Sequence, residues 1–101
     1  MTFQPRHAIV TASDSGIGRA TVVALAAADL DIGVTWHSDE ASAHDTAAQV
    51  RAAGVRAELA HLGASELDSC GDVVEELAGR LGGLDVLVNN AGTGRRPWPW
   101  T

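Results

Sequence analysis

The sequence has no lysine and no tyrosine, so its seven basic residues are all arginines. Chemistry that needs a phenol or an amine side chain is excluded for these 101 residues. A single cysteine, Cys70, excludes an internal disulfide and reads as an ordinary helix-face residue. Positive charge is scarce: 7 basic against 13 acidic residues give a formal net charge of −6. That balance argues against nucleic-acid binding, which needs a basic face for the phosphate backbone. No apolar run approaches a signal core or a membrane span, so no membrane partner and a cytoplasmic location are expected. The histidines at 7, 37, 44 and 61 lack metal-ligand spacing and read as surface or strand residues. Asp29, Asp31, Asp39, Glu40 and Asp45 are scattered, and no pair of them suggests carboxylate acid–base work.

What is present is a chain of 46% hydrophobic and 20% charged residues, which fits one soluble globular domain with a modest core. Its centre is Thr11-Ala12-Ser13-Asp14-Ser15-Gly16-Ile17-Gly18. An apolar run, Ala8-Ile9-Val10, precedes this stretch, and an alanine-rich helical pattern follows it. Strand, small-residue turn and helix is the layout that aims backbone N–H groups and a helix N-terminus at a phosphate. Glycine belongs there because a Cβ would hold the ligand off and would resist positive φ. If Ala12 must adopt positive φ, it costs about 1 kcal/mol relative to glycine. Ser13, Asp14 and Ser15 can bond their own loop backbone, and Ser13 or Ser15 can also donate to a phosphate.

The pattern predicts alternating strands and helices. Strand one is read over His7 to Ala12 and helix one over Gly16 to Asp29, with Ile17, Ala20, Val23, Ala24 and Ala27 as its buried face. Strand two follows over Asp31 to Trp36. Helix two is capped by Ser38 or Asp39, runs to about Ala53 and is ended by Gly54. Strand three is read over Val55 to Leu62. Helix three starts at Ser65-Glu66-Leu67-Asp68, buries Val73, Val74, Leu77 and Leu81, and breaks at Gly82-Gly83. Strand four, Leu84 to Val88, delivers Asn89 and Asn90 to its C-terminal end. Such alternation gives an α/β fold: a parallel sheet of four strands in order 3-2-1-4 with three helices, the first half of a doubly wound fold. Ligands in these sheets sit beyond the carboxyl ends of the strands, where Thr11–Gly18 and Asn89–Gly92 both fall.

At these residues the chain resembles the short-chain dehydrogenase/reductase family. That family's turn reads T-G-x-x-x-G-x-G, which Thr11, Gly16 and Gly18 match, with Ala12 in place of the first glycine. A second signature, N-N-A-G, is intact as Asn89-Asn90-Ala91-Gly92. The resemblance spans about residues 7 to 94 and implies a Rossmann-type fold with NAD(P)(H)-dependent hydride transfer between carbonyls and alcohols. It implies cofactor-binding roles for Thr11, Ser13, Ser15, Gly16, Ile17 and Gly18 around the pyrophosphate. Trp36, His37 and Ser38 stand where the family chooses between the two nicotinamide cofactors. No carboxylate stands there to repel a 2′-phosphate, and His37 and Ser38 can donate to one, so NADP is favoured over NAD. Leu62, Gly63 and Ala64 line the adenine pocket, with Gly63 where the family commonly shows an aspartate. Asn89 ties strand ends together, while Asn90, Ala91 and Gly92 approach the cofactor ribose.

The family's proton transfer uses a tyrosine four residues before a lysine, and neither type occurs here. No catalytic residue is therefore assigned, and the chain alone is expected to be inactive. Residues 1–94 read as the cofactor-binding half-domain. Residues 95–101, Arg-Arg-Pro-Trp-Pro-Trp-Thr, read as an irregular tail outside the family pattern. The expected strand four has an unpaired apolar edge that invites self-association. Two alternatives to a truncated oxidoreductase remain: a non-catalytic dinucleotide-binding module, and a subunit complemented by a second chain.

Overall fold

The computed structural model describes residues 5–14, 16–62 and 70–90. The element order is β1 (His7–Val10), α1 (Gly16–Ala27), β2 (Asp31–Trp36), α2 (Glu40–Ala52), β3 (Ala57–His61), α3 (Cys70–Leu81) and β4 (Val86–Val88). The strands pair in parallel in the order β3-β2-β1-β4, the Rossmann-like 3-2-1-4 topology expected from the pattern. No helix among the described residues is long and apolar enough to cross a membrane.

The period-2 alternation of the central strands divides the core into two layers. Ala8, Val10, Ile32 and Val34 pack with Val22 and Ala26 of α1 and Ala43, Ala47 and Val50 of α2. On the opposite face Ile9 meets Leu77 and Leu81 of α3, with Val73 and Val74 half-buried beside them. Gly33 lies on that second face. A Cβ there would stand 2.9 Å from Ile9 Cγ1 and 3.4 Å from Leu77 Cδ1. The missing side chain is what lets α3 reach the middle of the sheet.

Several boundaries differ from the sequence reading. The buried face of α1 is Gly18, Val22 and Ala26, whereas Ile17 is 78% exposed and Ala20, Ala24 and Ala27 face solvent. The helical period was read correctly but its phase was rotated. Gly18 permits the close approach to the Ala12-Ser13 turn and Asn90, which a side chain would block. Helix α1 also stops two residues before Asp29, because Asp29 turns left-handed (φ +71°). The Leu30 amide then bonds Leu25 O and the Asp29 amide bonds Ala26 O, a Schellman closure in which an aspartate takes the usual glycine's place. β1 ends at Val10 rather than Ala12, since Ala12 has φ +54°. β3 covers only Ala57–His61, and β4 begins at Val86. The expected start of α3 at Ser65–Asp68 and the 95–101 tail lie outside the described residues.

β4 loses Leu84 and Asp85 because Asp85 serves as a clamp. Its Oδ2 accepts from the amides of Arg6 (2.9 Å) and His7 (3.1 Å) and meets His7 Nδ1 at 3.2 Å. The Asp85 amide in turn donates to His7 O. This joins β1 and β4 at the N-terminal rim of the sheet. At α2, Asp39 caps the helix by accepting from the amide and hydroxyl of Ser42, and Gly54 ends the helix at φ +89°, as expected.

Gly33→Ala should destabilise the protein in urea. Overpacking costs about 1–3 kcal/mol, against roughly 0.5–1 kcal/mol gained by removing a strand glycine. Acid should also unfold the chain. The Arg6 amide and then the His7 side chain hold the Asp85 carboxyl below its ordinary range, against partial desolvation. The Ser42 hydroxyl and amide do the same for Asp39. A carboxylate with a lowered folded pKa stabilises fully above its unfolded pKa and loses that contribution as pH falls through the folded value. Melting temperature should therefore drop below about pH 4, and Asp85→Asn should flatten the drop.

Candidate functional site

The site forms at the C-terminal rim, where β1 and β4 end side by side. Thr11 leaves β1 fully buried, its amide donating to Val88 O at 3.1 Å. Its hydroxyl donates to Asn89 Oδ1 (3.2 Å) and accepts from the Asn90 amide (2.9 Å). Asn90 Nδ2 then donates to Ala12 O at 3.2 Å. The two motifs recognised in the sequence are thus stitched directly to one another, and Asn89 takes the strand-tying role expected of it.

The turn itself has a defined shape. Ala12 adopts positive φ (+54°), so the strain anticipated for alanine at that position is present. β2 supports it: the Ala12 amide donates to Thr35 Oγ1 (2.9 Å) and the Ser13 amide to Thr35 O (3.1 Å). Ser13 is fully buried and its hydroxyl donates to Val10 O at 2.7 Å, so it shapes the loop from beneath. Gly16 opens α1 at φ +61°, and a Cβ on it would meet nothing within 4 Å. Gly18 is the opposite case. A Cβ there would collide with Ala12 O, and would lie 2.7 Å from Asn90 Nδ2 and 2.8 Å from Ser13 Cα. The first amides of α1 have no intrahelical acceptor and carry the positive end of the helix dipole. Ile17 projects from this corner into solvent.

Arg19 was missed in the sequence. Its Nε donates to Thr46 Oγ1 (2.8 Å), and one terminal nitrogen bridges Asp14 O (2.7 Å) and Ser42 O (2.8 Å). The guanidinium so fastens the turn to α2. A signal was available: a cation in the first turn of a helix opposes the dipole and needs a local reason. Thr35 and Thr46, both buried, were likewise legible only as polar positions in otherwise apolar stripes.

At the end of β2, Trp36 is half-buried while His37 and Ser38 are exposed. His61, at the end of β3, packs its ring 4.6 Å from that of Trp36. Its Nε2 lies 2.8 Å from His37 O. The buried Leu62 donates its amide to Trp36 O at 2.8 Å. Ser15, Gly63, Ala64, Ala91 and Gly92 lie outside the described residues. Among the described residues no group of three or more His, Cys, Asp or Glu could hold a metal ion. The described part of the predicted set therefore lies along one rim: Thr11 to Gly18 at the centre, Asn90 on one side, Trp36 to Ser38 and Leu62 on the other.

The short chain dehydrogenase family model matches residues 6–99. The chain is 54% identical over 85 residues to "Uncharacterized oxidoreductase YohF" of Escherichia coli strain K12, covering 84% of this chain and 34% of that protein. It is 41% identical over 85 residues to General stress protein 39 of Bacillus subtilis strain 168, covering 84% of this chain and 30% of the relative. The crystal structure of acetoin dehydrogenase from Enterobacter cloacae superposes with a TM-score of 0.83 at 54% identity, over 91% of this chain and 36% of that one. The chain thus spans about a third of the length of the proteins it matches.

The two glycines should respond differently to alanine. Gly18→Ala meets backbone that cannot yield and should cost about 3 kcal/mol in urea melts, the upper end for overpacking. Gly16→Ala has free space and should cost only the left-handed strain, about 1–2 kcal/mol.

Proposed function

The chain belongs to the short-chain dehydrogenase family, and on that premise we propose that its C-terminal rim binds a nicotinamide dinucleotide, with NADP preferred over NAD. The observation that carries this reading is the stitch between Thr11-Ala12 and Asn89-Asn90 beside the N-terminus of α1. The residues fit the group. Gly18 gives Ala12, Ser13 and Asn90 room to pack against the start of α1, and Gly16 opens toward free space. Thr11, Ser13, Ser15, Gly16, Ile17 and Gly18 build the pyrophosphate turn, with Ser13 acting through the loop's shape. Trp36, His37 and Ser38 face the adenosine ribose; Leu62, Gly63 and Ala64 take the adenine; Asn90, Ala91 and Gly92 take the nicotinamide ribose. The NADP preference follows from exposed donors and no carboxylate at Trp36-His37-Ser38.

When bound, the reduced cofactor supplies a hydride to a carbonyl carbon, and the carbonyl oxygen must then receive a proton. These 101 residues hold and orient the dinucleotide, but they include no tyrosine or lysine to move that proton. Turnover therefore belongs to an arrangement that supplies a proton donor. The likeness to an acetoin dehydrogenase supports a small ketone or its alcohol as the substrate class of that arrangement.

Calorimetry on the purified 101-residue chain should show NADPH binding without NADPH oxidation in the presence of small ketones. Asn90→Ala removes a side-chain hydrogen bond to Ala12 O and should weaken binding by about tenfold, matching about 1 kcal/mol or slightly more. A folded chain with no affinity for either dinucleotide would refute the proposal, whereas oxidation of NADPH by the chain alone would overturn the need for a proton donor from outside these 101 residues.

A further inference from the structure

The turn between β1 and α1 is held from two sides. Thr11 and Ala12 are bonded to Asn89 and Asn90 beyond β4, and the Ala12 and Ser13 amides are bonded to Thr35 of β2. Asp14 is held from elsewhere. Its carbonyl accepts from Arg19 Nη2 at 2.7 Å and from the Thr46 hydroxyl at 3.2 Å. Thr46 belongs to α2, and so does Ser42, whose carbonyl accepts from the same Arg19 nitrogen at 2.8 Å. The sheet thus fixes the start of the turn, while α2 fixes Asp14.

This junction depends on the shape of a guanidinium. Arg19 Nε donates to Thr46 Oγ1 at 2.8 Å, and both hydrogens of Nη2 go to the two carbonyls. One rigid plane meets three acceptors on two elements. A lysine ammonium is a single point of donors and cannot reproduce that span. Thr46 lies on the buried face of α2 and is fully buried. Its one hydroxyl hydrogen is shared between Asp14 O and, at 3.1 Å, Ser42 O. Two roles would put a cation in the first turn of α1 against the helix dipole: a charge for the ligand's phosphates, or a brace for the turn. The bonds favour the brace, because the fork is spent on protein acceptors.

We infer that Arg19 is a positioning residue for the dinucleotide: it sets cofactor affinity by making α2 a brace for Asp14, and its charge is not what the pyrophosphate reads. This rests on the dinucleotide reading above. Binding needs an ordered turn, and a residue that folding has not already fixed adds its own ordering cost to that of the ligand. With the guanidinium in place, that cost is met when α2 docks. Without it, the ligand must meet it.

The test is calorimetric titration of NADPH into the 101-residue chain, for wild type, Arg19→Lys, Arg19→Met, Thr46→Val and Arg51→Met. Arg51 Nη2 donates to Ala57 O at 2.9 Å from the last turn of α2. Its loss therefore removes a comparable arginine–carbonyl bond from the same helix without touching the turn. Both Arg19 variants should bind NADPH about tenfold more weakly, and Thr46→Val should shift affinity in the same direction. Arg51→Met should bind like wild type, even where urea melts show a similar loss of stability. Wild-type affinity in Arg19→Lys alone would assign the effect to charge and overturn the inference, as would wild-type affinity in both Arg19 variants. Equal weakening in Arg51→Met would reduce the effect to general destabilisation and overturn it too. Each of these results leaves the dinucleotide reading intact, because wild type still binds. Should Arg19→Met fail to fold by circular dichroism, Arg19→Lys and Thr46→Val still decide. If folded wild type binds no NADPH, both readings fall.

Discussion

The candidate site depends on the hydrogen bonds that hold the end of β1 to the end of β4. Thr11 accepts from Asn90 and donates to Asn89, and Asn90 reaches back to Ala12 O. Thr11 and Asn89 are 78 residues apart in sequence. These polar groups satisfy one another where the turn is partly buried, as buried backbone groups require. The same bonds bring the N-terminus of α1 next to Asn90, and Gly18 supplies the clearance. Without that clearance the turn and the asparagine pair could not occupy one corner.

The turn carries conformational strain, and its neighbours hold it. Ala12 stands in a left-handed conformation that costs an L residue about 1–2 kcal/mol. Thr35 pins its amide, and Arg19 ties the Asp14 carbonyl to α2. Arg19 sits at the unfavourable end of the helix dipole, yet three carbonyl and hydroxyl acceptors on two elements compensate it. The result is a loop with a preset shape, and preorganisation of this kind lowers the ordering cost of binding.

The opposite rim is built by different means. Asp85 gathers the amides of Arg6 and His7 where the sheet begins, and Arg56 reaches the last carbonyls of α3. Polar clamps thus tie the N-terminal rim together, while the C-terminal rim carries the N-terminus of α1. The two apolar layers between them are thin, formed by alanine, valine, isoleucine and a few leucines.

Much of this was legible in one dimension. The 2.0 and 3.6 residue periods are local properties of the backbone, and they gave four parallel strands, three helices and their order. Gly54 was readable as a helix end, and Asp39 as one of two cap candidates beside Ser38, because capping is also local. So were the glycine turn and the asparagine pair as strand-end loops on one rim, where the structure bonds them to one another. What the sequence could not reveal was the phase of α1. The period tells which residues share a face but not which face the sheet will cover, and packing put Gly18, Val22 and Ala26 there. Nor could it reveal the partners of Arg19, Asp85 and His61. Each of these long or polar side chains bonds backbone from a distant segment, and only the packed sheet brings those segments within reach.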